Sequence, residues 1–334
     1  MHITHPIRLL GTGKYLPGEA VRSDVLEERL GIPPGWAMRY SGVAERHYRQ
    51  GESLAYMGAQ ALEQALATAG LVFGDLDLLI CGSATFDYPI PSQASVLKHE
   101  LEQRSGQPTT VATLDVDSTC LSFVSGFDLA ARLLDGRRYR RIAVVSAEVS
   151  SNGLNPTDWE IATLFGDGAG AAVLAWDDTG TAGVIHADMK TYSEGVFHTI
   201  VRGGGHAYFF RDHPYDPALH SFHMEGIKLL RLAKRYIPVF MEAFFAGLDS
   251  CITDVDLIIP HQASKTGIEV FEQMYPFAAG QVFSHLETHG NCIAASIPMA
   301  LHDAIAADGL QRGQTCLICG TSAGFSIGGV LFTY

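Results

Sequence analysis

Positive charge is scarce in this 334-residue chain: 23 Lys and Arg stand against 36 Asp and Glu, a formal net charge of −13 at pH 7. A surface of that sign repels nucleic acid and anionic bilayers at long range, so neither is expected as a partner and any basic contact must be local. Long apolar runs are also lacking. No stretch approaches the 18 or so residues needed to cross a bilayer. The start, MHITHPIRLL, lacks the charged segment and apolar core of a secretory signal, so a cytoplasmic protein is expected. Cysteine is limited to Cys81, Cys120, Cys251, Cys292, Cys316 and Cys319, scattered among strand-like neighbours. That is not the framework of a small disulfide-stapled domain, and reduced thiols are expected. What the chain does have is apolar residues, 47% of the total, enough to bury a large core.

Strand-like and helical patterns alternate: LDLLIC (76–81), SQASVLKHELEQR (92–104), VATLDV (111–116), a helical stretch from Cys120 to Leu134, then RIAVVSA (141–147). Alternation of this kind predicts a layered α/β fold. The chain also echoes itself. DLDLLICGSA from Asp75 resembles DVDLIIPHQA from Asp254, and FGDGAGAAVL (165–174) resembles CGTSAGFSIGGVL (319–331). Between these, DSTCLSFVSGFDLAARLL has a counterpart in HGNCIAASIPMALHDAI. Two halves of like topology, 1–175 and 176–334, account for the echoes. The second half opens on an aperiodic stretch, TYSEGVFHTIVRGGGHAYFFRDHPYDPALHSFH, which reads as a long functional loop. Its histidines (His198, His206, His213, His220, His223) have no metal-ligand spacing and read as solvated.

Phe123, Phe127, Ala130, Ala131 and Leu134 recur at helical spacing, which sets Cys120 at a helix N-terminus with Ser118 and Thr119 as candidate caps. The unpaired N–H groups there favour an anion, so a lowered thiol pKa is expected. Alone, such a cysteine reads as a small core residue; partners change the reading. His261 follows a buried strand in PHQAS, at the edge where open α/β sheets build sites. Asn291 lies in THGNC, the loop that mirrors the Cys120 loop. A pseudo-twofold axis would bring all three together, a set suited to acyl transfer: the sulfur attacks a thioester and the other two donate to oxygen as it becomes negative. The glycines of GDGAGA precede a strand-like AAVLAW rather than a helix. They therefore read as sites of close backbone approach, not as a dinucleotide fingerprint.

GTGKYLPG, GWAMRYSGVAERH, DVDSTC, LFGDGAGAAVL, PHQAS, HGNCIAAS and CGTSAGFSIGG, in that order across the whole chain, resemble the motifs of the thiolase-fold condensing enzymes, most of all the β-ketoacyl-acyl-carrier-protein synthase III family. The resemblance implies a duplicated, five-layered αβαβα fold, a homodimer, and no metal or redox cofactor. It implies Cys120 as the acylated nucleophile, His261 and Asn291 as donors to the enolate of a decarboxylating malonyl thioester, and an oxyanion hole from the N–H groups of Cys120 and Gly324. Substrates would be acyl-CoA or acyl-carrier protein together with malonyl-carrier protein. Trp36 matches the adenine-stacking tryptophan of relatives, but the three arginines that accompany it fall on Tyr40, Trp159 and Thr266, with Arg39 and Lys265 one residue away. Guanidinium forks are not freely replaced, so the CoA grip is expected to be weakened or rebuilt.

Ser264 replaces the usual asparagine of HQAN, as in the head-to-head condensing enzymes of olefin biosynthesis. Ile90 stands where those carry a glutamate base and where other relatives carry the residue that limits the acyl pocket, which disfavours the head-to-head reaction. Leu121 and Ser122 replace a smaller Ala-Gly pair beside the nucleophile, so Leu121 is expected to shape the substrate pocket. Lys228, Arg231, Lys234 and Arg235 form a basic helix stripe to which an acidic carrier protein could dock. The sequence thus predicts an acyltransferase that makes a 3-oxoacyl thioester. The rivals are acyl transfer to oxygen, nitrogen or a β-keto carbon without decarboxylation, and a non-catalytic carrier-binding protein.

Overall fold

The computed structural model describes residues 2–334. Nine strands form one mixed sheet: β1 (His5–Tyr15), β2 (Leu78–Cys81), β3 (Ala112–Asp115), β4 (Arg141–Glu148), β5 (Gly168–Trp176), β6 (Gly183–Thr191), β7 (Leu257–Pro260), β8 (Thr315–Ser322) and β9 (Ser326–Thr333). Their order is β7-β8-β9-β6-β1-β5-β4-β2-β3. The seam between β6 and β1 is narrow, with His5 opposite Val184 and Pro6 opposite Gly183. On either side of it the order repeats: β1-β5-β4-β2 on one side corresponds to β6-β9-β8-β7 on the other. β3, parallel to β2, has only a vestige in the second half, the parallel bridge between Ile258 and Val282.

The repeat extends to side chains. Asp75 accepts from the Val72 N–H at 2.9 Å, and Asp254 accepts from the Cys251 N–H at 2.8 Å, closing the same short turn before β2 and β7. Asp77 ties the start of β4 through the Arg141 N–H, as Asp256 ties the start of β8 through the Thr315 N–H. The echo in the sequence is therefore a repeat of structure, and the fold is the duplicated α/β architecture that the chain's resemblance implied.

Strand residues alternate between two buried faces, so these strands read as apolar runs rather than as apolar-polar alternation. Ile142 and Val144 of β4 face a central layer formed by α3 (Ser122–Leu133) and α6 (Ser296–Ala306), where Phe123, Phe127, Ile297 and Leu301 are fully enclosed. Ala143 and Val145 face the outer pair α1 (Leu54–Ala69) and α2 (Gln93–Ser105) through Leu62 and Leu97. Beyond the second half, α4 (Gly226–Phe245) and α5 (Lys265–Met274) cover β7 to β9 with Phe240, Phe244 and Phe271. Each phenylalanine so buried contributes roughly 1.5–3 kcal/mol. The one sheet counts as two layers, its halves on either side of the β6–β1 seam, and together they enclose the central pair α3 and α6: helix, sheet, helix, sheet, helix. Among the described residues, no helix is long and apolar enough to cross a membrane.

Candidate active site

Cys120 sits not in a helix but in a single 3-10 turn, Thr119–Leu121, that feeds α3. Thr119 has φ 50°, rare for a β-branched residue. The expected caps do not cap, since neither Ser118 nor Thr119 accepts from a backbone N–H of the first turn of α3. Ser122 latches the turn instead: its Oγ accepts from the Ser118 N–H at 2.9 Å and donates to the Thr119 carbonyl at 2.7 Å. Thr119 Oγ1 then donates across the halves to the Ala323 carbonyl at 3.1 Å. The second half repeats the latch, with Ser296 Oγ accepting from the Cys292 N–H at 2.9 Å and Ile293 at φ 49°.

His261 follows β7, anchored by its N–H to the Cys319 carbonyl at 2.7 Å. Gly320 leaves room for it, because a Cβ there would come within 2.5 Å of His261 Cβ. Asn291 is pinned against the strand entering GDGAGA, its N–H donating to the Leu164 carbonyl at 2.9 Å and its carbonyl accepting from the Gly166 N–H at 3.1 Å. Its side chain is set as well. Oδ1 accepts from the Ile293 N–H at 2.9 Å and Nδ2 donates to the Ala263 carbonyl at 3.1 Å, which leaves one amide N–H uncommitted.

Cys120, His261 and Asn291 line one cavity of about 530 Å³. Gly324, at φ 81° in the β8–β9 turn, and Ser264 also line it. The N–H groups directed at the thiol are those of Ala323 and of Cys120 itself. Ser264 is occupied as the cap of α5, its Oγ accepting from the Gly267 N–H at 3.1 Å. Thr85, Phe165, Thr199, Ile200, Phe222, Met224 and Leu229 complete the walls. None of these was singled out from the sequence. The stretch 199–224 reads as aperiodic because it is an irregular strap closed by a two-residue ladder, Thr199–Ile200 against His223–Met224.

Three expected substrate residues lie elsewhere. Leu121 is fully buried against the central core, because the 3-10 turn that presents Cys120 to the cavity directs its neighbour inward toward Gly328. Ile90 is 88% exposed on the loop after β2 and does not line this cavity. Trp36 is off the lining too, in an aromatic group with Tyr40 at 4.6 Å and Trp159 at 5.9 Å between ring centroids. Lys228, Arg231, Lys234 and Arg235 are all exposed on α4, whose opposite face supplies Leu229 and Ala233 to the cavity. Lys228 pairs with Glu225 at 2.5 Å.

Burial reverses the expected electrostatics. It pushes the Cys120 thiol up to about 12, outweighing the N–H groups of Ala323 and Cys120 that favour thiolate. The expected lowering by the helix terminus is not what the fold delivers. Burial also takes His261 down to about 4, so its ring is neutral at pH 7. Its Nδ1 has no hydrogen-bond partner among the described residues. A bare lone pair is the less costly group to bury there, which assigns the proton to Nε2. Behind the site, the Glu148 carboxyl, raised to about 8 by burial, accepts from the Ala84 N–H at 2.7 Å and Thr85 Oγ1 at 2.6 Å and so fixes a cavity-lining loop. His285, His289 and Asp303 cluster as metal ligands could, but the Lys14 ammonium already occupies the cation's place, 2.5 Å from Asp303 and 3.1 Å from His289 Nε2.

Comparison with known proteins agrees along the length of the chain. Residues 114–193 match the family model for 3-oxoacyl-[acyl-carrier-protein] synthase III, and residues 247–334 match the model for the C-terminal part of the same enzyme. The β-ketoacyl-[acyl-carrier-protein] synthase III of Neisseria meningitidis serogroup B is 30% identical over 98% of this chain and 99% of its own. The Syntrophomonas wolfei enzyme of that name is 29% identical over 98% and 97%. The crystal structure of 3-oxoacyl-[acyl-carrier-protein] synthase III from Aquifex aeolicus superposes with a TM-score of 0.86 at 26% identity, covering 98% of this chain and all of that one. At 23% identity the priming β-ketosynthase of the R1128 polyketide pathway shares the fold, with a TM-score of 0.87 over 100% of this chain and 97% of that one. The chain belongs to the 3-oxoacyl-[acyl-carrier-protein] synthase III family.

Proposed function

We propose that this protein condenses an acyl group with a malonyl-type thioester to give a 3-oxoacyl thioester. One observation carries the reading: Cys120 from residues 1–175 and His261 and Asn291 from residues 176–334 converge on a single cavity. Cys120 Sγ attacks the acyl thioester carbonyl; the new S–C bond forms as the old one breaks, and the carrier thiol leaves with the proton. The N–H groups of Cys120 and of the 323–324 turn face the oxyanion. A malonyl thioester then loses carbon dioxide, and its enolate oxygen accepts from His261 Nε2–H and the free Asn291 N–H. Neutral donors suit that task, since they stabilise charge as it develops without pairing with the ground state. The enolate carbon attacks the acyl carbonyl, the C–S bond to Cys120 breaks, and the departing thiolate takes a proton from water to restore the thiol.

The homodimer and cytoplasmic location seen in such enzymes are part of this reading, with the apolar loop of Phe86, Tyr88 and Ile90, exposed at 59%, 57% and 88%, as the surface a second copy would cover. The acidic carrier protein docks on the basic face of α4. The Tyr40 and Trp159 rings around Trp36 stand where relatives carry guanidinium groups, which favours carrier-borne over CoA-borne donors. Intact mass after incubation with acyl thioesters is expected to show one adduct on the wild type and none on Cys120→Ala, followed by carbon dioxide release from labelled malonyl thioester. An adduct that persists on Cys120→Ala refutes the nucleophile; an acyl-enzyme without carbon dioxide release favours transfer to another nucleophile.

A further inference from the structure

Next to the nucleophile's cavity lies a second chamber of about 550 Å³. Thr85, Phe165, Phe222 and Ile293 line both, and the rings of Phe165 and Phe222 meet edge to face at 4.9 Å where the two adjoin. A chain attached to Cys120 Sγ that passed these rings would enter this chamber. Leu54, Val149 and Leu154 make much of its wall apolar, as an acyl chain requires.

Arg49, Asn152 and His220 do not fit a chamber built for hydrocarbon alone. Arg49 is half-buried, and its guanidinium spends itself only on the Glu52 carbonyl at 3.0 Å and, at 3.5 Å, on Asn152 Oδ1. No carboxylate lies within ion-pair distance of it among the described residues. A guanidinium carries five N–H donors in a planar fork, so most of its capacity is unspent. Asp87, the acid on the same wall, is committed elsewhere: Oδ1 accepts from the Leu54 N–H, and Oδ2 from the Ala55 N–H and Gln93 Nε2. Asn152, an exposed residue, has no partner for Nδ2 among the described residues.

The strap bearing His220 is tied to the segment bearing Asn152 by the Phe222 N–H on the Gly153 carbonyl at 2.8 Å. His220 Nδ1 is fixed on the Asp216 carbonyl at 2.9 Å. The chamber thus offers an apolar passage and, on one part of its wall, a guanidinium with unspent donors and no ion-pair partner, complementary to a carboxylate at the far end of an acyl chain.

We propose that Arg49 selects acyl thioesters whose chain ends in a carboxylate. The inference rests on the acyl-enzyme reading above and extends it to a substrate class. The test is the rate of Cys120 acylation, read by intact mass, from pantetheine thioesters in length-matched pairs: succinyl and butyryl, glutaryl and valeryl, adipyl and hexanoyl. At one length or more the dicarboxylic member is expected to react faster. Arg49→Leu is expected to slow that member by about ten- to a hundredfold, the loss of a charge-assisted contact, while leaving its monocarboxylic pair within about twofold. Arg49→Lys should fall between the two. A wild type without preference at every length overturns the proposal, as does an Arg49→Leu variant that slows both members of a pair alike, which would make Arg49 a strut for its loop. Failure of every thioester to acylate Cys120 is a separate outcome that removes the condensing reading and this inference with it.

Discussion

Gly166 offers a way to move Asn291 without touching it. A Cβ built on Gly166 would lie 2.3 Å from the His289 carbonyl oxygen, where real Cβ contacts essentially never fall below 3.0 Å. The backbone here is a bridge between Phe165 and Asn291 that is bonded in both directions, so the strain cannot be relieved by rotating a side chain. Gly166→Ala must therefore push the 289–291 loop away by about 0.7 Å or more, and a shift near 1 Å at a catalytic group costs on the order of a hundredfold in rate. Overpacking adds about 1–3 kcal/mol of destabilisation. Acylation of Cys120, which does not use Asn291, should stay within a few-fold of wild type by intact mass. Labelled carbon dioxide release should fall about a hundredfold. Gly205→Ala, where nothing lies within 4 Å of the added carbon, serves as the matched control and should change neither. A folded Gly166→Ala protein, with acylation intact and undiminished decarboxylation, would refute the claim that backbone contact at this bridge sets the position of Asn291.

Burial of neutral histidines gives stability a defined pH dependence. His261 is held at about 4 against 6.5 for a free histidine, so between those values the unfolded chain binds a proton that the folded chain does not, and stability falls as pH drops through that window. His289, pushed to about 3, and His302, also lowered, act with the same sign. Each contributes a slope of about 1.4 kcal/mol per pH unit where it differs fully from the unfolded chain. Urea midpoints of His261→Asn should therefore be less steep by about one proton between roughly pH 4.5 and 6; an unchanged slope shows that the ring is not held neutral. On α4, the pair Arg231→Glu and Lys234→Glu should raise KM for carrier-borne malonyl thioester by about tenfold while leaving the CoA-borne substrate unaffected. Equal effects on both would place carrier docking elsewhere.

The parts of this protein legible in the sequence are those that local pattern and repetition dictate. LDLLIC and DVDLIIP announced β2 and β7 because strands covered on both faces are apolar throughout, and the three residues of the site were legible because the chain repeats its loops. What local pattern could not supply was direction. Leu121 adjoins Cys120 in sequence, yet the left-handed Thr119 turns the two to opposite sides of the wall, and no spacing rule encodes that turn. The caps were misassigned for a related reason: Ser118 and Thr119 suit the role by residue type, but the latch through Ser122 prevails. The thiol's electrostatics depended on its burial, which outweighs the Ala323 and Cys120 N–H groups that favour thiolate, so a reading of the helix terminus alone gave the wrong sign. Arg49 carried no signal because its significance lies in what does not surround it.

The narrow seam where His5 and Pro6 meet Val184 and Gly183 bears on how such an enzyme can fail. Nucleophile and enolate donors are carried by different halves, so their alignment depends on the contacts that join the halves: this seam, the Phe165–Asn291 bridge and the Thr119–Ala323 hydrogen bond. A substitution that loosens the joint would leave each partial reaction chemically competent while uncoupling them in time. The expected phenotype is not inactivity but waste: malonyl thioester decarboxylated to acetyl thioester with no acyl group captured, so carbon dioxide release outruns product.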